Sequence, residues 1–162
     1  MNFDDDRPDN LVSVLDASGL PILRSWQDGN PESTASMVLH TETTAELALY
    51  HTALFWPDLI EHEGGVFLRD GFRVETYRSW RDQGLDPAAI EQVGNRRHIG
   101  HMFPGDWVGY RNCVHLASVL RQTWSARLRS SFPHLTFSVD MLCDDENEEV
   151  VLTFWRNRAQ RA

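Results

Sequence analysis

Seven histidines in a chain of 162 residues are the first place to look for chemistry, because imidazole serves both as a proton carrier and as a metal ligand. The best-spaced pair is His98 and His101 in the stretch RRHIGHMF, where residues three apart on a helical turn face one ion. Two ligands do not make a site. A third would have to come from His62, or from Glu61 and Glu63, in the stretch EHEGG. On a strand, Glu61 and Glu63 point to one side and His62 to the other, so either set joins the pair but not both. This set, with His62, His98, His101 and Glu61 as ligands of a divalent transition metal, defines the alternative reading, a metal-dependent hydrolase-like enzyme.

Other arrangements fail on spacing. His40-Thr41-Glu42 matches half of a zinc-deaminase signature, but Cys113 and Cys143 stand thirty residues apart without the Pro-Cys-x-x-Cys run that chemistry needs. Pro57-Asp58 followed by Glu61 and Glu63 has the look of a magnesium-binding nuclease hairpin without its lysine, and reads more simply as a turn. Cys113 and His115, two apart on a helix, point away from each other. The chain has no nucleophile elbow, no HExxH, no dinucleotide fingerprint and no phosphate loop. All 15 basic residues are arginine, the signature of a GC-rich genome, which rules out Schiff-base and lysine-dependent phosphate chemistry.

Charge points to a different function. The net charge is −9, and residues 1–10 with 144–149 account for −8 of it, so the remainder of the chain is nearly neutral. Such a balance argues against binding a nucleic-acid backbone. Clustered carboxylates attract a cationic protein and speed its association. The leading expectation is therefore a non-catalytic protein-interaction factor, of an inhibitor, immunity or regulatory type, without a cofactor. It would contact a basic partner through Asp144, Asp145, Glu146, Glu148 and Glu149. Trp80, among arginines in YRSWR, is a further partner-contact candidate, set against the simpler picture of an amphipathic helix with Trp80 inward.

These residues have to be positioned by a fold, and the chain is long enough to bury about 70% of its unfolded surface without disulfide staples. The two cysteines fall in apolar periodic segments, where small buried hydrophobes suit the packing. The N-terminus lacks the basic and apolar regions of a signal peptide and no apolar run is long enough to span a bilayer, so a cytoplasmic protein is expected.

The expected architecture is one α+β domain over 11–162 after a mobile acidic tail at 1–10, with N-terminal strands, central helices and a C-terminal antiparallel hairpin. Three short strand-like runs separated by segments dense in turn formers predict strands at 11–15, 20–26 and 36–41. A capping box at Thr43 to Glu46 opens a helix that stops near Pro57. Gly64-Gly65 marks a hairpin, helices follow at about 74–83 and from Asp86-Pro87 to Gly94, and the strongest helical period covers 112–129. Strict alternation over 135–143 and again at Val150, Leu152 and Phe154 places the acidic run between two strands packed on that helix.

Overall fold

The computed structural model describes residues 20–102 and 109–158. Helices and strands are mixed, in the order α1 (Pro21–Gly29), α2 (Ala35–Glu42), α3 (Ala45–Phe55), β1 (Leu59–His62), β2 (Gly65–Leu68), α4 (Val74–Asp82), α5 (Pro87–Gly94), β3 (Arg97–His98), α6 (Tyr110–Ser131), β4 (Phe137–Asp144) and β5 (Glu149–Arg156). The expected α+β class holds, with the C-terminal strands packed on α6. The chain divides into two compact units between residues 48 and 49. No helix among the described residues is long and apolar enough to cross a membrane.

The first unit corrects the sequence reading. The runs 20–26 and 36–41, expected as strands, are α1 and α2, while 1–10 and 11–15 lie outside the described residues. The turn formers between them act as caps. Pro21 occupies the first turn of α1, where its fixed φ favours a helix and its missing N–H costs nothing. Asn30 Oδ1 accepts from the Glu32 amide at 3.1 Å, and Thr34 Oγ1 accepts from the Met37 amide to cap α2. Ile22 on α1, Met37 and Leu39 on α2 and Leu47 at the start of α3 are exposed.

The second unit is built around α6. Cys113, Ala117, Leu120, Trp124 and Leu128 form its buried stripe at the spacing the sequence shows, and Val150, Leu152 and Phe154 of β5 meet it. Trp124 and Phe154 pack edge to face with ring centroids 6.0 Å apart. Burying each such side chain contributes about 1.5–3 kcal/mol. The sheet order is β3-β5-β4, all antiparallel, so β5 is central and is buried on both faces. Among the described residues β4 is an edge strand.

β1 and β2 form a separate antiparallel hairpin with His62 opposite Gly65. Its two-residue turn is Glu63-Gly64, one position earlier than Gly64-Gly65, and both residues have positive φ (46° and 76°), as a type I′ turn requires. Glu63 accepts that strain because its carboxylate is anchored: Tyr77 Oη donates to it at 3.2 Å and Arg81 Nη1 at 2.6 Å. Gly65 instead answers a packing need, since a Cβ there would lie 2.8 Å from the Phe67 ring.

Buried polar groups bind this hairpin to the sheet. Glu91 and Asn95, one turn apart across the end of α5, have no solvent exposure. Glu91 accepts from the amides of Val66 (2.7 Å) and Arg156 (3.1 Å) and from Arg158 Nη1 (2.6 Å). Asn95 accepts from the Leu68 amide at 2.8 Å and donates to the carbonyls of Val66 and Phe154. Side chains from a helix thus satisfy strand groups of β2 and β5 that no neighbouring strand reaches.

Candidate functional site

At one end of the three-stranded sheet the acidic turn and the histidine pair come together, which the sequence did not disclose. The register places Leu142 of β4 and His98 of β3 on either side of Val151 of β5, so their side chains share one face. Asp144 pairs with Glu149 in the next position along the same face. Glu149 joins the two features directly, with its Oε1 2.5 Å from His98 Nδ1. His101, on a short 3₁₀ turn over Gly100–Met102, stacks its ring on that of His98 at 5.3 Å and 12°. The pair therefore spans a strand end and a 3₁₀ turn, not the helical turn the spacing predicted.

The turn itself is rigidly organised. Asp144 accepts from the amides of Glu146 and Asn147 and from Asn147 Nδ2, bonds that hold its carboxyl below the usual carboxylate range. Asp145 accepts the hydroxyl of Tyr110 at the start of α6, which drives the Tyr110 phenol well above its ordinary value. Glu146 and Glu148 remain exposed, and Glu148 adopts positive φ (52°). Of the five expected contact residues, three are thus tied to the fold and two face solvent.

Beside the turn, the outer face of β4 carries Asp140 and Leu142, the latter 50% exposed. The opposite face of the strand, with Phe137, Val139 and Met141, packs on the α6 core. Cys143 lies on that inner face by alternation but is exposed, contrary to the buried position expected of it, because it sits at the outer end of the strand near Tyr110. Cys113 is buried as expected, and burial raises its thiol pKa and keeps it inert.

The other expected residues lie elsewhere. His62 packs against Tyr77 (ring centroids 4.7 Å) and Phe72 (5.3 Å), and its Nε2 is buried without a hydrogen-bond partner, 3.8 Å from Glu63 Oε1. Burial alone would raise the Glu63 carboxyl pKa, but Arg81 and Tyr77 outweigh it and hold it low. Glu61 is exposed on β1. Among the described residues no group of three or more His, Cys, Asp or Glu side chains is placed to hold a metal ion. Trp80 is partly buried against Phe67, Tyr77 and Ile90, facing inward from α4. His40 lies in the last turn of α2, not at a strand end.

Sequence reasoning missed Leu142 and Tyr110 as parts of this site. Leu142 had a usable signal, since it breaks the polar side of the alternation in FSVDMLCD. The chain matches no known protein-family profile, no curated protein sequence and no solved structure.

Proposed function

We propose that this protein is a non-catalytic interaction factor whose acidic β4–β5 end docks an extended, basic segment of another protein. The observation that carries the reading is the exposed Leu142 on an edge strand, bordered by Asp140 on one side and by the carboxylates of the 144–149 turn on the other. An edge strand offers a row of backbone donors and acceptors, which is how sheet-extending partners gain affinity. An apolar side chain within a polar rim is the usual anatomy of a contact surface. The charge selects a cationic partner and adds to its association rate. The internal bonds of Asp144, Asp145 and Glu149 support the reading further, because a surface fixed in advance loses little entropy on binding.

The test uses a peptide that alternates arginine and valine, titrated at several salt concentrations. Affinity is expected to fall as salt rises, because the Debye length shrinks to about 8 Å at physiological ionic strength. Glu146→Gln with Glu148→Gln removes charge without touching the turn's internal bonds, and is expected to slow association about tenfold. Leu142→Ser is expected to raise the dissociation rate. Binding indifferent to both changes would sink the proposal.

A further inference from the structure

A separate cleft of about 370 Å³ opens between the end of α3, the base of the β1–β2 hairpin and α6, within the size range of small-molecule sites. Leu54, Leu68, Met102 and Trp124 supply its apolar wall. The Trp124 indole N–H is already committed to the Leu54 carbonyl at 2.8 Å, so Trp124 offers a ligand only apolar surface.

Arg97 gives this wall a polar anchor. It is half-buried, and its guanidinium is fixed by two backbone carbonyls: Nη2 donates to Asp70 at 2.5 Å and Nη1 to Arg96 at 2.9 Å. A guanidinium has five N–H donors, so most of its capacity is left over. Among the described residues it forms no ion pair. Burial lowers its pKa, and the nearby charge of Asp70 offsets part of that effect. An arginine held in one orientation is well suited to a planar, bidentate carboxylate.

The charges around it narrow the ligand further. Asp58, Arg69 and Asp70 line the same cleft, so with Arg97 its formal charges balance, and a dianion such as phosphate would leave it more negative than a monoanion would. A monoanion with an apolar body meets less repulsion and uses the wall. We infer that the cleft binds a small monocarboxylate with an aliphatic or aromatic body, its carboxylate paired with Arg97 and its body against Leu54, Leu68, Met102 and Trp124.

The experiment titrates the full chain with octanoate and phenylpropionate, with their neutral amides and with inorganic phosphate, following the Trp124 indole N–H resonance by nuclear magnetic resonance. The carboxylates are expected to bind saturably, the amides about tenfold more weakly or worse through the loss of one charge-assisted contact, and phosphate more weakly still because it has no apolar body to lay against the wall. Arg97→Gln is expected to weaken carboxylate binding to the level of the amides while the Trp124 resonance stays in its folded position. If that variant does not fold, the comparison of carboxylate with amide on the unaltered chain decides alone. Equal affinity for carboxylate and amide, no saturable binding by either carboxylate, or a folded Arg97→Gln protein that binds as before would overturn the inference.

Discussion

Glu91 accepts three hydrogen bonds from Val66, Arg156 and Arg158 while wholly out of contact with water. Nothing in its sequence neighbourhood, AAIEQVG, distinguishes it from a solvent-facing helical glutamate, because its partners lie 25 to 67 residues away along the chain. Its removal strands two backbone amides and the arginine charge. Glu91→Ala is therefore expected to cost about 3–5 kcal/mol in urea denaturation, whereas Glu61→Ala, exposed on β1, is expected to stay within about 0.5 kcal/mol. A second residue-scale consequence concerns Tyr110. Its phenol has a folded pKa above the ordinary value of 10.0, first because of the Asp145 hydrogen bond, so the folded state holds a proton that the unfolded state releases. The stabilisation is complete below pH 10 and is lost as pH rises towards the folded value. Alkaline difference absorbance is expected to show a late-ionising phenol that disappears in Tyr110→Phe and returns to the ordinary range in Asp145→Asn.

At the scale of elements, α3 to α6 and the two hairpins were legible from local signals: Asp86-Pro87 opens α5 and the α6 stripe matches its buried residues, while α3 is capped by Thr44, which accepts from the Leu47 amide, and not by the expected Thr43. The N-terminal segments were misread for a physical reason. The run from Leu20 to Trp26 is too short to display a helical period, and Asn30, placed between two expected strands, closes α1 instead through its backbone N–H to the Trp26 carbonyl. β3 is two residues long and has no periodicity to read, yet it carries His98 into the acidic turn. Thus each half of the site was visible and their meeting was not. The first hairpin offers an element-scale test. Gly65 lies against the Phe67 ring, and Gly65→Ala must displace that ring from the cluster with Tyr77 and Ile90. The expected cost is about 1–3 kcal/mol by thermal or chemical denaturation. A change within about 0.5 kcal/mol would show that the ring gives way freely.

At the scale of the whole molecule, charge is a matter of place. The net of −9 is concentrated in the N-terminal residues and in the 144–149 turn. Of these, the turn is tied to α6 through Tyr110 and to β3 through His98. Its contact role follows from the edge strand and Leu142 that border it, a combination the composition alone does not reveal. The most direct measurement of that role is residue-resolved hydrogen exchange of the backbone amides of β4, with and without the arginine–valine peptide. If a basic segment extends the sheet, outward-facing amides within 138–144 gain protection on binding, and the gain fades as salt is raised. Protection that appears elsewhere and leaves the β4 edge unchanged would contradict the account.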